Sequence, residues 1–405
     1  MGIIVQKYGG TSVDGPERIK NVAARVCRSV DEGHQVVVVV SAQGDTTDSL
    51  LEMAQAISTR PPKRELDMLL ATGEQISIAL LAMAIDTLGY KAISLTGAQG
   101  GIMTDEQHTK AKIRKVNAER ITAELERGSI VIVAGFQGVT PGNDITTLGR
   151  GGSDTTAVAV AAALDAEICE IYTDVTGVYS ADPRIVPEAR LLPQVGYDEM
   201  LELASLGALI LQPRAVEVAA IYGVPLHVRS SFTESPGTIV REVEDMEKAR
   251  SVTGVAYDDN CAQITIIGVP EPVNILRLVF AALAREGINV DMIVKTSGGE
   301  STTTLSFTVQ RSDLDAALEI IHHLNGADQW EITANEDVAK VSIVGAGMMT
   351  NPGVAAAMFD VLADEGVPVE LVTTSEIKVS CLVPRNRLRE AVTACHSRFC
   401  LSDAE

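Results

Sequence analysis

Residues Val36 to Val40 form an unbroken run of β-branched apolar side chains. A strand with one wet face alternates apolar with polar, whereas a strand apolar at every position is covered on both faces, as parallel strands between helices are. Short strand-like segments recur over residues 1–230, at Ile3–Lys7, Gln35–Ser41, Lys91–Leu95, Ser129–Gly135, Ile168–Tyr172 and Leu226–Val228. Between them, Ile19, Val22, Ala23, Val26 and Val30 repeat at helical spacing behind the start signals Asp14 and Pro16. The stretch from Glu65 to Leu88 holds another helix, or two in sequence. The pattern predicts an α/β doubly wound sheet with helices on both faces, whose ligands sit outside the carboxyl ends of the strands.

The character changes after Arg229. Phe232 to Arg250 contains Ser-Pro-Gly and a charged stretch, the composition of a boundary. Beyond it the chain repeats itself: VFAALAREG at 279–287 matches MFDVLADEG at 358–366, an offset of 79 residues. The register continues from Ile288-Asn289-Val290-Asp291 to Val367-Pro368-Val369-Glu370. Strands at 264–268 and 302–309, with counterparts at 341–345 and 377–383, complete two βαββαβ modules of ferredoxin-like type.

At 405 residues the chain has room for two or three domains. Its formal charge of −21 repels phosphate backbones and argues against nucleic acid as a partner. No apolar run approaches the roughly 20 residues that span a bilayer, so no membrane is expected. Six cysteines without CxxC or paired-His spacing read as reduced thiols of a cytoplasmic protein, with no metal site of their own.

In so acidic a chain, positive groups next to glycines are informative. The strand Ile3–Lys7 runs into Tyr8-Gly9-Gly10-Thr11-Ser12. Glycines directly after a strand let backbone N–H groups approach an anion, and Lys7 adds a point charge suited to a phosphate oxygen. The spacing is not that of a Walker loop, and a plain tight turn explains the glycines about as well. A second cluster, Gly149-Arg150-Gly151-Gly152-Ser153-Asp154, precedes a helix from Ala157 to Leu164. Asp154 there either caps the helix, worth roughly 1 kcal/mol, or belongs with Arg150 and the helix N-terminus to an anion site. The charge of the chain favours the anion site. Ser41-Ala42-Gln43-Gly44-Asp45-Thr46-Thr47 closes the Val-rich strand with hydroxyls, fit for a small polar substrate or for an ordinary turn. Glu74 stands among apolar neighbours in Ala71-Thr72-Gly73-Glu74-Gln75, and burial beside a cation is one reading of it.

Taken in order, KYGGTSV at 7–13, SAQGDTTD at 41–48, ATGEQ at 71–75, TLGRGGSDTTA at 147–157, TDVTGVYSADPR at 173–184 and PLHVRSSF at 225–232 resemble the aspartate kinase (aspartokinase) family of the amino-acid kinase fold. The duplicated modules look like its ACT domains. The resemblance covers essentially the whole chain and implies a catalytic domain at 1–230, a linker at 231–258 and ACT modules at 259–335 and 336–405. It implies ATP and Mg²⁺ as cofactors and L-aspartate as substrate, phosphorylated as the first step toward lysine, threonine and methionine. Lys7 would neutralise the transferring phosphoryl, with Tyr8, Gly9 and Gly10 beside it and Asp154 orienting Lys7. Thr173, Asp174, Tyr179, Asp182 and Arg184 would hold the nucleotide. Ser41, Thr47, Glu74, Arg150, Gly151 and Ser153 would line the aspartate pocket. Lysine, threonine or both would bind at the modules, near Asn289 and Asp291 in the first and Glu370, Thr374 and Ser375 in the second. The modules would pair two chains into a homo-oligomer, and some members also make the regulatory half separately from an internal start, for which Met246 is placed. The alternatives are another amino-acid kinase, acting on glutamate or acetylglutamate, and a non-catalytic amino-acid sensor. Three positions depart from the family pattern: Leu209 where a Lys is usual, Gln43 for a commoner Met, and Glu271-Pro272-Val273-Asn274 for Asp-x-Pro-Gly in the first module.

Overall fold

The computed structural model describes residues 2–206, 210–243, 251–270, 274–297, 302–399 and 401. Leu209, Met246 and residues 271–273, on which three of the expectations above fall, lie outside that set. The chain divides into two compact units, the first of 1–178, 191–205 and 209–244, the second of 179–190, 206–208 and 245–405.

In the first unit the elements run β1 (Ile3–Tyr8), α1 (Pro16–Asp31), β2 (Gln35–Val40), α2 (Thr46–Ile57), α3 (Lys63–Leu70), α4 (Thr72–Thr87), β3 (Ala92–Leu95), β4 (Ile102–Thr104), β5 (Ile113–Val116) and α5 (Glu119–Glu126). They continue with β6 (Ile130–Ala134), β7 (Gln137–Val139), β8 (Ile145–Thr147), α6 (Gly152–Ala163), β9 (Ile168–Thr173), β10 (Gln194–Val195), α7 (Tyr197–Ser205), α8 (Pro213–Tyr222), β11 (Leu226–Ser230) and β12 (Thr238–Val240). Eight strands form one sheet in the order β10-β12-β11-β9-β1-β2-β6-β3, parallel throughout its centre from β11 to β3. Val36 to Val40 are all buried, as two-sided cover requires. On one face α1 and α4 pack Ile19, Val22, Val26, Ile78 and Leu81 against Ile4, Val38 and Ile132. A small second sheet, β5-β4-β7-β8, had no clear signal in the sequence, because strands of three or four residues are too short to show a period.

The helical stretch Lys63–Thr87 is, by length and composition, apolar enough to cross a bilayer. That corrects the expectation that no such run exists. It is nevertheless a core element: Asp67, Glu74, Ile78, Leu81 and Ile85 along it are buried in the protein.

The second unit contains two antiparallel four-stranded sheets. One, β15-β16-β14-β17, is built from β14 (Cys261–Pro270), β15 (Val290–Ser297), β16 (Thr302–Gln310) and β17 (Glu331–Asn335), with helices α9 (Ile275–Arg285) and α10 (Leu314–His322) on one face. The other, β13-β18-β20-β19, takes β18 (Val338–Val344), β19 (Leu371–Thr374) and β20 (Lys378–Pro384), with α11 (Val354–Asp364) and α12 (Leu388–Arg398). Its fourth strand, β13 (Gly254–Asp258), precedes the first module in sequence and pairs antiparallel with β18, Asp258 facing Lys340. The segment expected as a linker therefore supplies strands at both ends: β12 to the first unit's sheet and β13 to the second module. Among the described residues no strand follows α12, and the upstream strand β13 fills the edge of β18. The excursion 179–190 also belongs here, with Ala181, Val186 and Ala189 in the same core as Ile343 and Val392.

Candidate active site

Successive parallel strands end side by side, and backbone hydrogen bonds tie the residues just past them. Gly9 donates to Tyr172 O (3.2 Å), Ser41 to Tyr8 O (3.1 Å), Gly135 to Val40 O (3.0 Å) and Ser231 to Thr173 O (2.8 Å). The carboxyl edge of the sheet thus lines up Gly9, Ser41, Gly135 and Thr173 within one ladder, as expected for a doubly wound fold. The glycine turn folds against the next loop through Gly44 N–H to Gly10 O (3.1 Å). A Cβ on Gly10 would stand 2.8 Å from Ala42 O, so only glycine permits that approach.

Lys7 projects from β1 toward α6, where its Nζ lies 2.7 Å from Asp154 Oδ1, both side chains about nine-tenths buried. Asp154 sits in the first turn of α6 but does not cap it: the N-cap is Gly151, in a left-handed conformation at φ 66°, with no side-chain cap. The capping alternative for Asp154 is thereby excluded. Ser153 packs beside Gly135, where a Cβ would come within 2.6 Å of its hydroxyl. Gly151 is equally confined, since its Cβ would fall on the Gln212 side chain.

Glu74 is buried in the first turn of α4 and accepts the Ala42 N–H at 3.2 Å through Oε1. Its partner is a backbone amide, not the cation anticipated. Oε2 is buried with no hydrogen-bond partner, and burial pushes the carboxyl up to about 8. A carboxylate with one oxygen unspent, behind the Ser41–Gly44 loop, is poised for a ligand that brings a positive charge.

The structure therefore brings Lys7, Gly9, Gly10, Ser41, Glu74, Ser153, Asp154 and Thr173 to one edge of one sheet. Tyr8 is different: its ring is fully buried and stacks on Tyr172 at 4.7 Å, so its contribution to the edge is backbone only. Thr47 lies in the first turn of α2 and Arg150 is exposed ahead of α6. Asp174 accepts the Thr173 hydroxyl at 3.1 Å. Tyr179, Asp182 and Arg184 fall in the second unit, where Arg184 grips Asp182 at 2.6 Å and Tyr257 donates to it at 3.0 Å. The Arg184 hydrogen bonds hold the Asp182 carboxyl below its usual range.

Two residues that sequence reasoning passed over position the Gly149–Gly152 loop. Asp67 on α3 is fully buried and accepts from Thr147 Oγ1 (2.5 Å), Thr109 N (3.0 Å) and His108 Nδ1 (2.7 Å). Arg214 on α8 donates to Leu148 O (2.8 Å) and Ala111 O (3.0 Å). The available signal was an Asp inside the apolar stretch Leu66-Asp67-Met68-Leu69-Leu70, a position carboxylates rarely hold without partners.

In the second unit Asp291 lies within β15, not in the turn before it, and pairs with Lys340, which is 5% exposed. Glu370 accepts from Asn335 at 3.4 Å. Thr374 and Ser375 stand at the far end of β19, not at its entry, because that strand begins only at Leu371. Asn289 is exposed ahead of β15.

Comparison with known proteins finds a family for each half of the chain. Residues 2–230 match the amino acid kinase family, and 264–324 and 341–399 match the ACT domain. The aspartokinase of Geobacillus stearothermophilus is 53% identical over 403 residues, covering 100% of this chain and 98% of the relative. Aspartokinase 2 of Bacillus subtilis is 51% identical, covering 99% and 98%. Among solved structures, E. coli aspartokinase III in complex with aspartate and ADP superposes with a TM-score of 0.82 at 25% identity, over 98% of this chain and 99% of that one. With its full length matched at about half identity by relatives of one name, the chain belongs to the aspartokinase family, kinases that transfer phosphate to a carboxyl group.

Proposed function

We propose that the strand-end edge of the first unit binds ATP and L-aspartate together and transfers the γ-phosphoryl to the side-chain carboxylate. The observation that carries this reading is the buried Glu74 carboxylate with one oxygen free, across the Ser41–Gly44 loop from the Lys7–Asp154 pair. Glu74 receives the substrate ammonium, Arg150 the α-carboxylate, and Ser41, Thr47, Gly151 and Ser153 complete the pocket. The acceptor carboxylate is already ionised at neutral pH, so no general base is needed, and catalysis reduces to in-line positioning and charge neutralisation. Lys7, held in place by Asp154, supplies a fixed positive charge, and the Gly9 and Gly10 amides approach without obstruction by side chains. Thr173 and Asp174 extend the nucleotide site, and the block TDVTGVYSADPR supports Tyr179, Asp182 and Arg184 as further nucleotide ligands. No group of three or more His, Cys, Asp or Glu suited to a metal occurs among the described residues. The hydroxyls and single lysine-paired carboxylate at the edge fit a magnesium ion that arrives with ATP and keeps several waters, neutralising phosphate charge.

The ACT modules we assign to feedback inhibition by lysine, threonine or both, and to pairing of chains into a homo-oligomer. Their helix N-termini differ: Asn274 caps α9 by accepting from Arg277 N (3.2 Å), whereas α11 starts behind Gly353 with no side-chain cap. One amide of the α9 N-terminus is therefore already taken by a side chain and none of the α11 N-terminus is, which supports unequal sites for an effector carboxylate. The five cysteines among the described residues are buried and unbridged, which supports a cytoplasmic, reducing setting. The deciding experiment is an ADP-release assay over aspartate, glutamate and acetylglutamate, repeated with millimolar lysine and threonine. Turnover on aspartate alone, suppressed by at least one effector, is the expected result; a preference for glutamate or acetylglutamate overturns it.

A further inference from the structure

The α1 side of the main sheet carries a polar ladder. Gln6, Glu170 and His227 stand in register across β1, β9 and β11, and Tyr8, Tyr172 and Arg229 form the next row. Gln6, Glu170 and Tyr172 are at least nine-tenths buried, and they are bonded into one network: Gln6 donates to Glu170 (2.8 Å), Tyr172 to Glu170 (3.2 Å) and Arg229 to Glu170 (3.1 Å). The α1 helix covers β1 and β2 but leaves a cavity of about 350 Å³ over β9 and β11, into which Arg25 and Arg28 project. Arg25 lies over the Tyr172 ring at 4.9 Å.

Among the described residues one carboxylate ion-pairs with both guanidiniums. Glu234, exposed on the loop after β11, reaches both through a single oxygen, at 3.3 Å to Arg25 and 3.4 Å to Arg28. These are long contacts, whereas a free carboxylate can engage a guanidinium with two short, parallel bonds. Arg229 also keeps a buried Nε with no hydrogen-bond partner. Glu32 and Glu167 stand on the same wall, which disfavours a polyanion and suits a ligand with a cationic end.

We propose that this cavity is a second binding site, for a small zwitterion with its carboxylate on Arg25 and Arg28, and that Glu234 occupies the carboxylate position in the ligand-free chain. The loop bearing Glu234 is fastened to the nucleotide edge. Ser231 donates its N–H to Thr173 O (2.8 Å), and its hydroxyl meets that of Ser12 in the glycine turn at 2.5 Å. Phe232 lies beneath the Arg18 guanidinium (5.2 Å), which donates to Thr11 O (2.5 Å). Displacing Glu234 therefore moves a loop anchored at Gly9–Ser12, and ligand binding changes the apparent affinity for ATP.

The test uses the full chain with β-alanine, propionate and inorganic phosphate as probes, followed by ligand-observed NMR. Glu234→Gln removes the competitor and should tighten β-alanine about fivefold or more, while Arg28→Gln, at a largely exposed position, should abolish binding with no change in melting temperature. Equal binding in wild type and Glu234→Gln, retention in Arg28→Gln, or phosphate binding at least as tightly as β-alanine overturns the site. The link to ATP rests on the nucleotide reading of the glycine turn and has its own readout. β-Alanine should shift the ATP KM about two- to threefold in wild type and not in Arg28→Gln. Binding by NMR without that shift overturns the coupling and leaves the site standing.

Discussion

Lys7 and Asp154 share one buried ion pair, so neither can be altered without burdening the other. Lys7→Ala strands an unpaired carboxylate in the interior, at a cost of roughly 3–5 kcal/mol, and so confounds folding with catalysis. Lys7→Met combined with Asp154→Asn removes both charges at once. We expect that double variant to fold, and to lose about 10² or more in turnover, because the charge lost acts on the transition state. Near-normal turnover in the folded double variant removes Lys7 from the mechanism. Glu74 makes a prediction about pH. Burial raises its carboxyl to about 8, so near neutrality the ligand-free chain holds it mostly protonated. A substrate ammonium placed against it favours the charged form and drives the proton off. The aspartate KM should then fall as pH climbs from 6 toward 8, by at most about tenfold per unit, and level off above 8. Calorimetry at pH 7 in buffers of different ionisation enthalpy should show close to one proton released per aspartate bound. The sign for stability is opposite to that of an ion-paired carboxylate. Between about 4.5 and 8 the folded chain holds a proton that the unfolded chain has lost, so this group makes the ligand-free protein less stable as pH rises through that window. Glu74→Gln should flatten that slope while weakening aspartate by roughly 1.5–3 kcal/mol. A KM independent of pH would place Glu74 outside the pocket. The sequence exposed Lys7, the glycines and Glu74 because each breaks a local pattern: a charge at a strand end, two residues without Cβ, an acid among apolar neighbours. It could not show the Ala42 amide as Glu74's partner, since that contact joins residues 32 apart through tertiary structure alone.

At the scale of elements, the parallel strands were legible to within about two residues, because short segments rich in apolar and β-branched side chains stand between turns, with two-sided burial making β2 and β6 apolar throughout. The short strands β4, β5, β7 and β8 were not, and they matter because they carry the approach to the Gly149–Gly152 loop. That approach is held by the Asp67 network rather than by a hydrophobic core. Asp67→Asn replaces one acceptor oxygen with an NH₂ that faces donors already present, Thr147 Oγ1 and Thr109 N–H among them. Loss of charge-assisted bonds here should cost about 1.5–3 kcal/mol, read as a lowered melting temperature. It should also raise the aspartate KM more than the ATP KM, since the loop it supports carries Arg150. Equal changes in the two constants would mean that Asp67 acts on stability alone.

For the molecule as a whole, the repeat in the sequence is not two beads on a string. The first module is inserted within the second: β13 precedes it, β18 follows it, and the two are neighbours in one sheet with Asp258 opposite Lys340. The sequence could reveal the repeated helices and strands, since they recur at a fixed offset, but not this pairing, because β13 has no counterpart in the first copy. The same second core takes in Ala181, Val186 and Ala189 from the excursion 179–190. Cutting the chain at 250 therefore leaves those apolar side chains without their partners, and a truncated kinase unit should be prone to aggregate whatever its role in inhibition. Excising 259–339 is the gentler operation. Asp258 and Lys340 are already paired across antiparallel strands, so a two-residue Asn-Gly turn can close them into a hairpin. The excision removes Cys261, Met292 and Val338 from the small cluster with Leu371 and Leu382, and the Asp291 partner of Lys340. The larger second core, from Ala181 to Leu401, loses only Ala339. We expect the excised protein to remain soluble and to unfold cooperatively at a lower temperature, with 179–190 still protected from protease. If it aggregates like the 1–250 fragment, the modules are mutually dependent and the insertion is not a separable unit. If it folds, lysine and threonine titrations on it, set beside the full chain, assign each effector to one module.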